Sequence, residues 1–233
     1  MALAGSFCID RYEAHLVLAD QPEVVWPPYL RPLGEEKYRA HSLPGVLPQG
    51  YVSRREATAA CVRADKRLCT AREWQAACKG PRGYLYPYGA EETRGRCNTG
   101  KPHLPQKLFG PEVMMDTESN FNSPLLAQQP GFLAKTGEYT GCVSAYGVFD
   151  LVGNLHEWVA DDVNDALLRK IPMPYGPQGM GRPGNGVFMG GYFSSGREQG
   201  RGCEYVTTHH APGYHDYSTG FRCCRDALAS PAG

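Results

Sequence analysis

Short apolar runs alternate with polar, glycine- and proline-rich stretches along the whole chain, and none of the runs is long enough to make an extended helix. Ser6–Asp10 reads as a short strand. Residues 20–50 read as ordered loop, because Trp26, Tyr29 and Tyr38 need apolar surroundings amid the prolines and glycines. Ser53-Arg54-Arg55-Glu56 is a capping box, in which two side chains satisfy each other's free backbone donors at a helix start. Ala57, Ala60, Cys61 and Ala64 then fall on one face. Thr70-Ala71-Arg72-Glu73 repeats the device, with Trp74, Ala77 and Cys78 on the buried side of a second short helix. Pro81 to Gly147 reads mostly as loop, anchored by Tyr84, Tyr86, Tyr88 and Phe121. The proline- and glycine-rich residues 172–186 suit neither helix nor central strand, and a strand from Val187 to Phe193 follows them.

The most informative stretch is Val148-Phe149-Asp150-Leu151-Val152-Gly153-Asn154-Leu155-His156-Glu157-Trp158. Three oxygen-bearing side chains, Asp150, Asn154 and Glu157, lie within eight residues around a glycine. That layout suits a hard-cation loop, since calcium takes six to eight oxygens from carboxylates and carbonyls. From these residues alone, a β-turn in which Asp150 and Asn154 bond their own backbone is the better fit. Cys97-Asn98-Thr99 and Gly141-Cys142 bracket the preceding region, which makes a Cys97–Cys142 bridge reasonable.

Composition sharpens this picture. The 233 residues include 28 glycines and 19 prolines, about a fifth of the chain, which argues for a loop-rich fold over a helical bundle. No linker divides the sequence, so one domain over 1–233 is expected. Basic and acidic residues balance at 24 each, so there is no electrostatic case for nucleic acid or an anionic membrane, and no apolar run would span a bilayer. Nine cysteines without a Cys-x-x-Cys pair point to disulfides and an oxidising, extracytoplasmic location: secreted, periplasmic or surface. The N-terminus lacks a basic, apolar leader, so any export signal is expected to have been removed.

The segments Phe7–Glu13, Lys66–Trp74 with Ala77–Gly80, Tyr86–Gly89, Tyr146–Trp158, Gly190-Gly191 and Gly220–Cys223 together resemble the formylglycine-generating enzyme (sulfatase-modifying factor) family, in the family's order. The resemblance implies an α+β fold, a variant of the C-type-lectin type with little regular secondary structure and one or two bound calcium ions. It implies a first calcium site at the side chains of Asp150 and Glu157 and the carbonyls of Gly153 and Leu155. A second would use the Asn98 side chain and the Thr99 carbonyl, with Asp116 and Asn122 as candidates for the remaining ligands. It also implies disulfides Cys61–Cys223 and Cys78–Cys203, leaving Cys8, Cys69 and Cys224, with Cys8 open to either of the other two and one thiol left over.

Formylglycine generation in the family requires a further pair of cysteines that binds copper. The matching positions here are Ser195 and Glu198, and neither can replace the soft thiolates that select Cu(I). Copper and formylglycine-generating activity are therefore not expected. His156 stands at the family's groove tryptophan, and the loop from His209 to Ser218 runs along the same groove. The groove candidates are His156, Tyr192, Ser195, Glu198, His210, His215, Asp216 and Ser218. If His156, Glu198, His210, His215 and Asp216 converge, they offer a transition-metal or acid–base centre. The alternative is that His209 and His210 are exposed while His215 and Asp216 pair to brace the last strand. Two functions follow: a module that binds a peptide, protein or glycan in the groove, or a metal-dependent enzyme, such as an oxidoreductase, with a different centre.

Overall fold

The computed structural model describes residues 1–164, 167, 181–197 and 199–227. Among the described residues, ten short strands and four short helices are joined by long ordered loops. One antiparallel sheet runs β1 (Ala2–Ala4), β2 (Phe7–Ile9), β10 (Cys223–Asp226), β5 (Arg67–Leu68). The Ser6–Asp10 strand thus lies against the C-terminal strand, with Ile9 opposite Cys224. A second sheet runs β8 (Val206–Thr207), β7 (Gly186–Met189), β6 (His156–Asp162), β9 (Thr219–Phe221). Its β6–β9 pair is parallel and places Glu157 opposite Gly220. The expected strand over Val187–Phe193 stops at Met189, because Gly190 and Gly191 both adopt positive φ and turn the chain. A third pair joins β3 (His15–Leu18) to β4 (Tyr38–His41), the latter inside the stretch read as loop, and Trp26 packs on Tyr38 at 5.1 Å.

Both capping boxes form. Ser53 caps α1 (Arg54–Arg63) and Thr70 caps α2 (Ala71–Lys79), each with reciprocal bonds to the glutamate three residues on. The region from Pro81 to Gly147 is less irregular than its sequence suggests. It holds α3 (Leu104–Phe109), a 3₁₀ turn at Pro111–Asp116 and α4 (Thr117–Phe121). Pro105 and Pro111 sit in the opening turns of the first two, where a missing N–H costs nothing.

Three apolar clusters form the interior. One surrounds Trp74 with Ile9, Val148, Leu151 and Val187. A second joins Trp158, Phe188, Phe221, Leu68 and Leu16, and a third joins Tyr51, Leu104, Leu126, Leu155 and Phe193. Four disulfides lie inside two of them: Cys78–Cys203, Cys97–Cys142 and Cys69–Cys224 in the first, and Cys61–Cys223 in the second. Cys8 pairs with neither Cys69 nor Cys224, which bond each other, and it is the leftover thiol. The reason is placement: β5 and β10 are adjacent, with Cys224 opposite Arg67, whereas Cys8 lies opposite Arg225 on the other side of β10.

Candidate metal centre and groove

The Asp150–Glu157 loop is held from every side. Asp150, Gly153 and Asn154 all adopt left-handed φ of 59°, 81° and 61°, and two of the three are not glycine. Such backbone costs energy and persists only where its surroundings enforce it. The Asn98 carbonyl accepts from the Asn154 N–H at 3.0 Å, and the Gly190 carbonyl accepts from the Gly153 N–H at 3.0 Å. Asn154 Oδ1 accepts from Asn98 Nδ2 at 2.8 Å and from the Ala134 N–H at 2.9 Å. Glu13, fully buried, accepts from the Leu155 N–H and from Asn154 Nδ2. A Cβ at Gly153 would lie 2.1 Å from the Asn98 carbonyl, so only glycine lets the two loops approach this closely.

Three carboxylates collect here. Glu13, Asp150 and Glu157 are all buried, and burial together with mutual repulsion drives Glu13 well above the usual carboxylate range. Burial likewise raises Asp150 to about 6, opposed by the Gly137 N–H that donates to its Oδ2 at 2.7 Å and by the Arg222 charge. Arg222, 1% exposed, donates to both oxygens of Glu157 at 2.6 Å and to the carbonyls of Asp10 and Phe149. Trp74 Nε1 donates to the same glutamate at 2.8 Å. One guanidinium thus faces three buried carboxylates, and charges of one sign left without partners in a low-dielectric interior are costly. Carboxylate and carbonyl oxygens are the donors a hard divalent cation takes.

Behind the loop, Asn98 is 2% exposed and its Oδ1 is buried without a hydrogen-bond partner, a free oxygen of the kind calcium takes. Neither candidate for completing a site at Asn98 and Thr99 points there. Asp116 is exposed and caps α4 through the Ser119 N–H, while Asn122 Oδ1 is 2.7 Å from His215 Nδ1.

The groove candidates divide. His156, 6% exposed, sits among Phe188, Tyr192 and Tyr205, with ring centres 4.6, 4.9 and 5.6 Å away. Burial, assisted by nearby His210, pushes its imidazole down to about 3, so it is neutral. His210 stacks on Tyr214 at 3.8 Å and on Phe188 at 5.4 Å. Asp216 accepts from Tyr214 and from the Ser218 hydroxyl and N–H, and makes no bond with His215. His215 turns instead to Asn122, so neither full convergence nor a His215–Asp216 pair occurs. His209 is exposed but His210 is half-buried. Glu198 and residues 172–180 of the proline-rich loop lie outside the described residues. Among the described residues, no three His, Cys, Asp or Glu side chains are placed to hold a metal. Ser195 Oγ accepts from the Tyr192 N–H at 2.8 Å and lines a cavity of about 180 Å³ with Tyr86, Tyr88, Tyr205, Arg197 and Arg201.

Glu13 and Arg222 lie in motifs that carry the resemblance, yet no role attaches to them in the sequence. A lone arginine in the apolar run Thr219–Cys224 was the available signal, since a buried arginine requires a carboxylate.

These features define an α+β, C-type-lectin-like fold in which irregular backbone is held by disulfides and buried polar contacts. The family model for the sulfatase-modifying factor enzyme 1-like domain matches residues 25–227, and the chain belongs to that family. It is 32% identical over 123 residues to inactive C-alpha-formylglycine-generating enzyme 2 of Bos taurus, covering 52% of this chain and 35% of the relative. It is 27% identical over 185 residues to the formylglycine-generating enzyme of Streptomyces coelicolor, covering 77% and 53%. The chain thus spans from about a third to about half of the length of these curated relatives. Among solved structures it is similar to PvdO from Pseudomonas aeruginosa, with a TM-score of 0.51, 17% identity and 95% and 80% coverage. It is also similar to Treponema denticola variable protein 1, with a TM-score of 0.53, 14% identity and 78% and 72% coverage. At such identities the likeness is one of fold.

Proposed function

We propose that this protein is a calcium-binding, disulfide-stabilised binding module on the sulfatase-modifying-factor fold, acting outside the cytoplasm and without formylglycine-generating activity. The observation that carries the reading is the state of the thiols. Eight of the nine cysteines are in disulfides, and the remaining one, Cys8, is on β2 in the N-terminal sheet. Ser195 stands where the resemblance places the first copper cysteine, and its hydroxyl closes a turn. No pair of thiolates is available for a linear or trigonal Cu(I) site. The name of the bovine relative, an inactive formylglycine-generating enzyme, agrees with that reading.

Calcium is supported by the excess of buried carboxylate around Asp150 and Glu157 and by the free Asn98 oxygen. When bound, calcium would supply the missing positive charge; Asp150, Glu157 and the Gly153 and Leu155 carbonyls would hold it, with Asn98 and Thr99 available for a second ion. Glu13 and Asn154 orient the loop. The same rigid loop carries His156 into the aromatic wall of the groove. Beside it, the tyrosine-lined cavity suits a peptide, protein or glycan ligand, since flat apolar faces with polar tips recognise such groups at low entropic cost. Glu92 fixes this wall by accepting from both the Tyr86 hydroxyl and Arg197.

The test has two arms. Incubating the protein with copper and a cysteine-containing sulfatase peptide should leave the cysteine unchanged, and aldehyde formation would overturn the reading. Screening immobilised peptides and glycans should give binders whose affinity falls at least tenfold on Tyr205→Ala; binders indifferent to that change would place the ligand elsewhere.

A further inference from the structure

The β3–β4 pair carries donors of a different chemistry from the oxygen-rich loops. His15 and His41 are directly opposite in the antiparallel register, so both imidazoles project from one face. Their ring centres are 5.8 Å apart at an interplanar angle of 87°. His15 is 3% exposed, and its Nδ1 is buried with no hydrogen-bond partner, a state that ordinarily costs about 1–3 kcal/mol. His41 lines an open cavity of about 260 Å³ together with Ser42, Arg39 and Lys66, which gives solvent a route to the pair.

Two imidazoles sharing one ion, each nitrogen at about 2.1 Å, hold their ring centres roughly 5–6 Å apart. The observed separation falls in that interval. We propose that His15 and His41 form a bis-imidazole site for a borderline divalent cation such as zinc, with water from the cavity completing the coordination. The nearby cations do not forbid it, because each has its own carboxylate: Lys66 bonds Asp10 at 2.7 Å and Arg39 bonds Asp65 at 3.4 Å. Both imidazoles are in the neutral, ligating form at neutral pH. Burial, with His41 adding to it, lowers His15 to about 4, and burial followed by Arg39 and Lys66 lowers His41, against a smaller opposing effect of Asp10. The site is separate from the calcium loops and would discriminate by donor type, since imidazole suits zinc and oxygen donors suit calcium.

Zinc chloride titrated into calcium-loaded protein, followed by calorimetry, tests this directly. One zinc equivalent should bind, His41→Gln should weaken it at least tenfold, and His210→Gln should leave it unchanged. In the unmodified protein, zinc should shift the imidazole resonances of His15 and His41 and not those of His209, His210 or His215, a readout that needs no variant to fold. Absence of zinc binding, undiminished binding by His41→Gln, or shifts confined to the C-terminal histidines would each overturn the proposal.

Discussion

Replacing Arg222 by methionine isolates the electrostatics of the interior. The guanidinium is 1% exposed and makes two bonds to Glu157 and two to main-chain carbonyls, so nothing in solvent can take its place. Methionine fills much of the volume but leaves Glu157 with Trp74 as its remaining donor, beside buried Glu13 and Asp150. Removing one partner of a buried pair costs about 3–5 kcal/mol. A chain of 233 residues has an unfolding entropy near 0.5 kcal/mol/K, so the thermal midpoint should fall by about 6–10 °C. The assays are thermal melts and urea unfolding with disulfides intact, each run in calcium and in EDTA. The variant should be weaker in both and should depend more on calcium, which becomes the only positive charge at the cluster. Adding Glu157→Gln should recover part of the EDTA-side loss, because the amide needs no counterion. A variant within 1 kcal/mol of the parent, or one whose calcium dependence is unchanged, would refute the reasoning.

Three further outcomes are expected. Cys61–Cys223 and Cys69–Cys224 share neighbouring ends, so with one intact the other closes a ring of only about eleven residues; removing either pair with alanines should cost about 3 kcal/mol and removing both about 8, measured by denaturant unfolding. Gly153→Ala, with φ at 81° and its new Cβ driven toward the Asn98 carbonyl, should cost about 2–4 kcal/mol and abolish calcium-dependent stabilisation in a thermal melt. Burial lowers His210 against the opposing charge of Asp216, so the folded state binds fewer protons there than the unfolded chain; this contribution to stability is present above the ordinary histidine range and is lost as pH falls below it, and His210→Gln should lose that part of the slope in calcium-loaded melts from about pH 7.5 to 5.5.

Local chemistry was readable from sequence wherever partners are close in the chain. Ser53 with Glu56 and Thr70 with Glu73 are three residues apart, and both caps form as read. The short elements between Leu104 and Phe121 are hidden in sequence because they span a turn or two each, and two of them carry proline in the first turn, where it is tolerated but also suits a loop. The charge cluster escaped for a different reason. Glu13 meets Asn154 across 141 residues and Arg222 meets Asp10 across 212, and no local period encodes such encounters. Likewise three leftover thiols do not reveal which two pair; strand order decides it, by setting β5 beside β10. The groove shows the same limit. Asp216 bonds Tyr214 and Ser218, and His215 is drawn to Asn122 from a segment more than ninety residues earlier, a contact invisible in the run His209–Ser218.

Calcium content bears on the central claim most directly. Protein dialysed against calcium and then freed of loose ions should retain at least one calcium per chain, and its thermal midpoint should fall with EDTA and return with calcium but not with magnesium. A metal-free chain whose midpoint ignores EDTA would mean that Glu13, Asp150 and Glu157 are balanced by Arg222 and protons alone, and the account of this loop would be wrong.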